Sequence, residues 1–379
     1  MKILSVFGTR PEAIKMAPIC HEISRRSCDA HIEHVICVTA QHREMLDQVL
    51  NLFQIKPDYD LNIMEKNQSP SQVLSIIISE LEPVLKKEKP DWVLVQGDTT
   101  TVVAASLAAF YSGVKIGHVE AGLRSYNRHH PFPEEINRKL AGVLADLHFA
   151  PTKKAHMNLL AEGIPEDLIV ITGNTVIDAM YWVDDRGVDQ NKYEINHLVE
   201  QSRKAKLILV TAHRRENFGK SLEDICMALC ELSNIYNDNV HFVFPVHLNP
   251  NVSETVYRLL KDIPNITLIE PLDYLSMVHL IKNAYLILTD SGGIQEEAPG
   301  FGVPVLVLRE VTERVEGLEA GTSRLIGTNK ETIVTEVCHL IDDAEKYDVM
   351  SKSVNPYGDG DASKRIVSAL LKEKVNPFI

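Results

Sequence analysis

Residues 1–15, MKILSVFGTRPEAIK, contain the unit from which the rest of the chain is built. The apolar run at residues 3–7 predicts a buried strand, and Pro11 suits the first position of the helix that follows. Gly8, Thr9 and Arg10 occupy the turn between the two. A strand, a short turn and a helix in this order predict one half of a βαβ unit.

The same alternation continues along the chain. Further apolar runs that predict strands lie at residues 34–39, 92–95, 115–119, 147–150, 168–171, 207–210, 241–245, 266–269, 285–288 and 303–308. Helical patterns follow these runs, for example at residues 100–111 and 153–161. Continuous apolar strands separated by helices are typical of parallel sheets with both faces covered. We therefore predict an α/β protein with two successive doubly wound domains.

Two polar, turn-rich stretches indicate where the domains divide. One lies between residues 182 and 206, and the other, NPYGDGD at residues 355–361, precedes a last amphipathic helix at residues 363–372. We expect an N-terminal domain over residues 1–182, a C-terminal domain over residues 183–360, and a final helical segment over residues 361–379. That last segment could pack back on the first domain.

The composition excludes several classes of function. Of the 379 residues, 45% are hydrophobic and 24% charged, which is typical of soluble globular proteins. With 39 basic and 52 acidic side chains the formal charge is −13, which argues against nucleic acid or an anionic membrane as the main partner. No apolar run approaches the ~20 residues that cross a bilayer, and the first run meets Arg10 too soon for a signal peptide.

Several cofactor and metal patterns are missing from the sequence. The six cysteines include no Cys-x-x-Cys pair and no spacing typical of zinc, which favours a reducing cytoplasm and predicts no structural metal. There is no Gly-x-Gly-x-x-Gly and no P-loop, so the sequence does not support dinucleotide binding. We therefore expect a protein that works without a cofactor.

Three acidic residues stand close behind predicted strands of the first domain, where open α/β sheets bind their ligands. Asp98 follows the strand at 92–95, Glu120 ends the strand at 115–119, and Glu134 begins a helix. Taken alone, Asp98 could be an N-cap and Glu134 could simply complement the helix dipole. A carboxylate leaving a buried strand, as Glu120 does, needs a partner or a task. The convergence of all three on one edge favours catalysis.

Two cations lie in the first βα unit. The backbone amides of residues 8–10 could face an anion, Arg10 adds forked donors, and Lys15 lies one turn into the helix. The alternative is a capped helix with two solvated cations. The local sequence leaves both interpretations open.

The second domain carries a histidine beside two arginines after the strand at 207–210. His213, Arg214 and Arg215 suit a place where an anionic group is held and protonated. A neutral core histidine is the usual alternative, but two adjacent arginines make deep burial unfavourable. His247, after the strand at 241–245, is a second candidate with a less specific pattern.

Residues 289–297, TDSGGIQEE, give the clearest phosphate pattern. A strand runs into Ser291, Gly292 and Gly293, whose small size lets backbone N–H groups approach a pyrophosphate where a helix begins. Glu297 lies further along that helix, where its carboxylate could accept hydrogen bonds from ribose hydroxyls. A plain structural turn is the alternative. The pattern predicts a nucleoside-diphosphate site in the second domain.

Taken in order, these segments resemble the non-hydrolysing UDP-N-acetylglucosamine (UDP-GlcNAc) 2-epimerases. The matching motifs are FGTRPE at 7–12, QGDT at 96–99, HVEAGLR at 118–124, PEE at 133–135, HRRE at 213–216, DSGG at 290–293 and TER at 312–314. The resemblance implies a GT-B architecture, in which two Rossmann-like domains face a cleft and a C-terminal helix returns to the first. It also implies a cytoplasmic homodimer, without cofactor or metal, that supplies UDP-N-acetylmannosamine (UDP-ManNAc) for cell-surface polysaccharides.

The resemblance also implies roles for individual residues. Asp98, Glu120 and Glu134 match the catalytic carboxylates of the family, and His213 matches its catalytic or phosphate-facing histidine. The positions that match or suit substrate binding are Arg10, Lys15, Arg214, His247, Ser291, Gly292, Gly293, Glu297 and Arg314. Bacterial relatives are often activated by UDP-GlcNAc at a second site, for which Gln41, His42 and Arg43 are candidates.

Inversion at C2 requires removal of a proton that is not acidic. Without a redox cofactor, the available route is anti elimination of UDP to 2-acetamidoglucal, followed by re-addition with protonation on the other face. Three alternatives remain open from the sequence: a GT-B glycosyltransferase that needs an acceptor, a hydrolysing relative that releases free N-acetylmannosamine, and a nucleotide-sugar sensor without turnover.

Overall fold

A computed structural model describes residues 1–39, 43–64, 68–187, 193–201 and 204–378. The chain divides into two compact units, one formed by Met1–Trp182 together with Tyr357–Ile379 and the other by Val183–Pro356. Each unit contains a sheet of parallel strands with helices between them. The predicted α/β class with two Rossmann-like doubly wound domains is confirmed.

The first unit is built on a seven-stranded sheet in the described residues. Its strands are β1 Lys2–Phe7, β2 Glu33–Val38, β3 Tyr59–Asp60, β4 Trp92–Gln96, β5 Lys115–Val119, β6 Leu147–Ala150 and β7 Ile169–Ile171, in the order β3-β2-β1-β4-β5-β6-β7. The helices are α1 Arg10–Ala30, α2 Arg43–Leu52, α3 Pro70–Glu88, α4 Thr100–Tyr111, α5 Glu134–Leu144, α6 Lys153–Ala161 and α7 Thr175–Asp185.

The second unit repeats the plan with six strands in its described part. They are β8 Lys206–Thr211, β9 Val240–Pro245, β10 Ile266–Ile269, β11 Leu286–Thr289, β12 Val305–Val307 and β13 Ser323–Leu325, in the order β10-β9-β8-β11-β12-β13. The helices are α8 Tyr193–Gln201, α9 Lys220–Tyr236, α10 Pro250–Leu260, α11 Tyr274–Asn283, α12 Gly292–Glu297, α13 Val315–Glu319, α14 Lys330–Asp342 and α15 Ala344–Ser351.

The strand order places a switch point in each sheet. β1 lies between β2 and β4, and β8 lies between β9 and β11, so the chain winds away from these strands in opposite directions. Such a reversal opens a crevice at the carboxyl ends of the two central strands. Residues 8–12 and 97–99 follow β1 and β4, and residues 212–217 and 290–293 follow β8 and β11. The fold therefore brings the motif segments together within each unit.

Apolar side chains from the strands and helices fill the interior of each unit. In the first unit the cluster between sheet and helices includes Leu4, Val6, Leu81, Val84, Val93, Val95, Val102 and Ala105. In the second it includes Leu222, Leu229, Phe242, Phe244, Leu286, Leu288 and Ile333. Each such side chain contributes about 1.5–3 kcal/mol when fully buried, which holds the strand ends in fixed positions.

A last helix, α16 Ala362–Leu370, belongs to the first unit and contacts α1. It buries Ile366 and Val367 completely. Asp178 of α7 accepts hydrogen bonds from the backbone N–H groups of Ala362 (3.2 Å) and Ser363 (2.7 Å), the first residues of α16. Burial raises the pKa of Asp178 to about 6.

Several predicted elements differ from the observed ones at their ends. The strand predicted at 303–308 is shortened to Val305–Val307, and the last helix begins one residue earlier and ends two residues earlier than predicted. Two strands, β3 and β13, were not predicted; they are two and three residues long. Both are edge strands, too short to show an apolar pattern.

Within the part of the chain that the structure describes, no helix is long and apolar enough to cross a membrane.

Candidate functional site

Glu120 lies at the carboxyl end of β5 in an unusual backbone conformation. Its φ is +62°, in the left-handed region that side chains other than glycine rarely adopt. The carboxylate Oε2 accepts a hydrogen bond from Nζ of Lys15 on α1, and both side chains are largely buried. Lys15 is therefore held against a catalytic candidate, rather than solvated as one interpretation of the sequence allowed.

The turn after Glu120 depends on a glycine. Gly122 has φ +90°, and a Cβ added there would lie 2.2 Å from the backbone oxygen of Ala155 on α6. No side chain fits in that space. The close packing of this turn on α6 fixes where the Glu120 carboxylate leaves the strand.

Helix α5 holds Asp98 at the end of the neighbouring strand β4. Oδ2 of Asp98 accepts hydrogen bonds from Nε (2.9 Å) and Nη2 (2.7 Å) of Arg138. The side-chain amide of Asn137 donates to the backbone oxygen of Asp98 at 2.8 Å. Because β4 and β5 are adjacent, Asp98 and Glu120 leave the sheet side by side.

The two neighbouring acids that begin α5 have different surroundings. Glu135 is buried and accepts hydrogen bonds from the backbone N–H groups of Ser125 (2.9 Å) and Tyr126 (3.0 Å), with Arg138 Nη1 at 3.3 Å. Glu134 is half-buried and makes no hydrogen bond or ion pair to another residue that the structure describes. Glu135 therefore fixes a loop, whereas Glu134 is available for chemistry.

His118 supports the turn that carries Asp98. It is buried in β5, and its Nε2 lies 2.7 Å from the backbone oxygen of Gly97. Burial lowers the pKa of His118 to about 4, so the ring is neutral at pH 7 and Nε2–H donates this bond. The turn at Gly97 is thereby tied to the strand that ends at Glu120.

Glu12 ties the loop after β1 to the loop after β4. Its Oε2 accepts hydrogen bonds from the N–H groups of Gly8 (2.9 Å) and Thr9 (2.7 Å), and its Oε1 accepts one from the Thr99 hydroxyl (2.6 Å). Burial raises the pKa of Glu12. Of the three backbone amides at residues 8–10 that were expected to face an anion, those of Gly8 and Thr9 are thus bound by the carboxylate of Glu12. Arg10 is half-buried and makes no hydrogen bond or ion pair within the described chain.

In the second unit, Asp290 organises the loop that carries His213. Its Oδ2 accepts hydrogen bonds from the backbone N–H groups of His213 and Arg214 (both 2.8 Å) and from the Asn217 amide (3.0 Å). The ring of His213 stacks on that of His247, with centroids 5.6 Å apart. Burial lowers the pKa of His213; the charge of Asp290 opposes this, whereas His247 and Arg214 add to it.

Cations gather beside this loop. Arg214 is half-buried, and its side chain makes no hydrogen bond to any described residue. Burial and then repulsion from Arg309 lower the pKa of its guanidinium. Arg309 itself is buried between Glu216 (2.7 Å) and Glu313 (2.8 Å), and so links the loops that follow β8 and β12. The Arg214 side chain thus has no hydrogen-bonded acidic partner among the described residues, although the nearby charges of Glu313, Glu216 and Asp290 oppose the fall in its pKa.

The segment after β11 is shaped around Arg314. A Cβ at Gly292 would lie 3.2 Å from Cζ of Arg314, so the glycine leaves room for the guanidinium. Arg314 Nε donates to Glu296 at 2.9 Å. Ser291 precedes α12 without capping it, and Gly293 is exposed. These residues form a small-residue turn beside a cation.

Glu297 is buried in α12 and accepts a hydrogen bond from the Tyr274 hydroxyl at 3.0 Å.

Of the candidates for a second nucleotide site, Gln41 and His42 lie outside the described residues. Arg43 is described and pairs with Asp60 (2.8 Å) and Asn62 (2.9 Å). Among the residues described, no group of three or more His, Cys, Asp or Glu side chains is arranged to hold a metal ion.

Sequence reasoning missed two residues that organise the candidates: Arg138, which binds Asp98, and Asp290, which binds the His213 loop. Asp290 did carry a signal, because it is an acid placed directly after an apolar strand. Arg138 carried none, since it is one of two adjacent cations on an amphipathic helix.

Known proteins resemble this chain over nearly its whole length. The family model described as UDP-N-acetylglucosamine 2-epimerase matches residues 25–371. The UDP-N-acetylglucosamine 2-epimerase of Salmonella typhimurium is 56% identical over 380 residues, which cover 99% of this chain and 100% of the relative.

Solved structures agree with this match. The UDP-GlcNAc 2-epimerase of Neisseria meningitidis bound to UDP-GlcNAc has a TM-score of 0.87 and 51% identity, over 98% of this chain and 100% of that one. The S. aureus MnaA structure with UDP has a TM-score of 0.87 and 53% identity, over 100% of both chains.

Proposed function

The chain belongs to the UDP-N-acetylglucosamine 2-epimerase family, and we propose that it interconverts UDP-GlcNAc and UDP-ManNAc by anti elimination of UDP and re-addition to 2-acetamidoglucal. Its activity is that of a UDP-GlcNAc 2-epimerase. What we propose beyond this activity is the product, UDP-ManNAc, and the elimination route. One observation supports it: Asp98 and Glu120 follow the adjacent strands β4 and β5, whose last residues Gln96 and Val119 pair with each other.

Elimination needs two kinds of help. A base must remove the C2 proton while the bond from C1 to UDP breaks, and an acid must return a proton to the opposite face of C2. The charge that develops on the β-phosphate must also be stabilised as UDP leaves. The chain has no dinucleotide-binding fingerprint, so its own side chains are proposed to do this work.

The N-terminal unit is proposed to supply the acid–base groups. Asp98 lies against Arg138 and Glu120 against Lys15, whereas Glu134 has no cation or hydrogen-bond partner among the described residues. Acid and base roles are assigned by differences in surroundings. Three carboxylates in three environments therefore support proton transfer on two faces of the sugar ring.

The C-terminal unit is proposed to hold the diphosphate. Arg214 and Arg314 supply cations, His213 supplies an imidazole, and the turn at Ser291 and Gly292 supplies backbone N–H groups. Removing one such contact to a developing charge typically costs about 10²–10³ in rate. The Neisseria meningitidis and S. aureus relatives, solved with UDP-GlcNAc and UDP, support a uridine nucleotide as the ligand.

The decisive test follows hydrogen at C2. The purified chain is incubated with UDP-GlcNAc in D₂O, and the sugar is analysed for UDP-ManNAc and for deuterium at C2. We expect both without any acceptor. Glu120→Gln should stop deuterium exchange while UDP binding persists, and Glu82→Gln, at an exposed position on α3, should leave both intact.

Each alternative function has its own outcome in that experiment. A requirement for an acceptor would indicate a glycosyltransferase, and free N-acetylmannosamine would indicate a hydrolase. Binding without turnover would indicate a sensor. Product that carries no deuterium at C2 would contradict the elimination route.

We also propose a cytoplasmic homodimer that supplies UDP-ManNAc for cell-surface polysaccharides. The six cysteines are all free, which a reducing compartment favours. Light scattering of the purified chain tests the dimer, and a monomer in solution would contradict it.

We also propose that UDP-GlcNAc activates the enzyme at a second site that includes Arg43. A hyperbolic response to UDP-GlcNAc, with UDP-ManNAc alone converted at full rate, would contradict activation.

A further inference from the structure

Asp290 is a fully buried carboxylate with one oxygen engaged and one free. Oδ2 accepts three hydrogen bonds, from the N–H groups of His213 and Arg214 and from the side chain of Asn217. Oδ1 is buried as well, yet it makes no hydrogen bond to any described residue. Burying a carboxylate oxygen without a hydrogen-bond donor costs free energy, so we expect Oδ1 to accept a hydrogen bond in the working protein.

The nearest donor is the ring of His213. Its Nδ1 lies 3.3 Å from Oδ1, but the two atoms are not aligned for a hydrogen bond. Catalytic hydrogen bonds are often long in a ligand-free site and tighten when substrate binds. The backbone N–H of the same residue is already held on Oδ2, so the ring stands beside the carboxylate oxygen that lacks a donor.

We propose that Asp290 is the positioning residue for His213: its Oδ1 accepts Nδ1–H, which fixes the tautomer of the neutral ring and leaves Nε2 for the diphosphate. This inference rests on the role of His213 proposed above. An imidazole whose tautomer is set by a buried carboxylate can then take a second proton on Nε2, and the carboxylate stabilises the resulting cation. That proton comes from solvent.

The other groups that face the His213 ring do not fix its tautomer. His247 stacks on it, and Arg214 is the adjacent cation, so both disfavour a charged ring before the ligand binds. The ring is exposed to 41%, whereas Asp290 is completely buried. Asp290 is therefore the group in this cluster that can fix the ring from the protein side.

The tautomer can be measured directly. The full chain is labelled with ¹⁵N-histidine, and the His213 signal is assigned by its loss in His213→Gln. At pH 8 without ligand we expect the Nδ1–H tautomer. In Asp290→Asn the amide replaces the acceptor by a donor, so the ring should change to Nε2–H. A wild-type ring already in the Nε2–H form, or no change in the variant, would overturn the proposal.

Kinetics then test the link to the reaction. Asp290→Asn should lower kcat by up to about 10⁴, the effect of the equivalent substitution in a serine-protease triad, with UDP affinity retained. The control is Asn217→Ser, which removes a donor from Oδ2 and should leave the tautomer unchanged. A full kcat in Asp290→Asn with a changed tautomer would also overturn the proposal. If the wild type has the expected tautomer but does not epimerise, the proposed function fails instead.

Discussion

At the scale of single residues, the surroundings of each acid indicate its task. Glu134 and Glu135 are neighbours in sequence, but Glu135 binds two backbone N–H groups and Glu134 binds none. Asp98 is held by two nitrogens of Arg138. A catalytic carboxylate must be oriented to within about an ångström, since larger misplacement costs about 10²-fold in rate.

Replacing Arg138 should therefore impair turnover more than binding. A lysine at this position cannot place two nitrogens on Asp98 and a third on Glu135, because an ammonium lacks the planar fork. We expect kcat of Arg138→Lys to fall by about 10²-fold with UDP affinity retained, as measured by steady-state kinetics and calorimetry. Arg25→Lys, which alters an exposed guanidinium paired with Glu22, is the control. A rise in KM alone would contradict this role for Arg138.

The sequence located the candidate acids because Asp98, Glu120 and Glu134 stand close behind predicted strands. It could not identify what holds them. Arg138 lies 40 residues from Asp98 and Asp290 lies 77 from His213, so only the folded sheets bring them together. Nor could it tell Glu134 from Glu135, because both occupy the first turn of one helix.

At the scale of elements, the turn that follows β5 and packs on α6 depends on a glycine at position 122. Gly122→Ala should destabilise the chain by about 3 kcal/mol, of which about 1 is left-handed strain and about 2 the clash with Ala155. Gly163→Ala has similar strain, since φ is +85°, but no atom within 4 Å, and should cost about 1 kcal/mol. Denaturant unfolding measures both losses. If the two variants lost the same free energy of unfolding, the proposed clash with Ala155 would be contradicted.

Two neighbouring strands of the first sheet carry buried histidines that make it sensitive to acid. His118 on β5 and His148 on β6 have pKa values lowered to about 4, in both cases mainly by burial. The unfolded chain binds protons at these sites from about pH 6.5 downward, whereas the folded chain does so only near pH 4. Stability contributed by each ring is therefore present above pH 6.5 and lost as the pH falls through this window.

Replacing one of these two histidines should make the loss of stability with falling pH less steep. Neither ring nitrogen of His148 has a hydrogen-bond partner among described residues, so His148→Leu should retain stability at pH 7. Its free energy of unfolding should fall by about 1 kcal/mol less per pH unit between pH 6.5 and 4. Asp178, with its pKa raised to about 6, has the opposite effect, so Asp178→Asn should make the fall steeper. If the pH profiles of both variants ran parallel to that of the wild type, both assignments would be contradicted.

Most elements could be predicted because long apolar strands and amphipathic helices have distinct periods. The helices at residues 100–111 and 153–161 are observed with the predicted bounds. The ends of other elements depend on tertiary hydrogen bonds. The last helix, for example, begins at Ala362 because Asp178, far away in sequence, binds its first N–H groups.

At the scale of the whole molecule, the alternation of strands and helices was enough to predict two α/β domains. The partner of the last helix could not be predicted in the same way. An amphipathic pattern shows that one face is buried but not what covers it. The structure shows α16 against α1, within the first unit.

The stability of the first unit should therefore depend on a segment far from it in sequence. Ile366→Ala removes a completely buried side chain of α16 and should cost about 2–5 kcal/mol. Lys364→Ala, on the exposed face of the same helix, should cost little. Urea unfolding followed by hydrogen exchange would locate the loss, which should fall on the strands of the first sheet. A loss confined to the second sheet would contradict this arrangement.

Because α16 belongs to the first unit, the two units differ in when they can be completed during synthesis. Val183–Pro356 is continuous and can fold as soon as it has left the ribosome. The first sheet is made earlier, but its α1 and α7 stay uncovered until Tyr357–Ile379 follows. The domain that is translated first is thus finished last, and a nascent chain arrested near Pro356 would expose to chaperones the surface that α16 later covers.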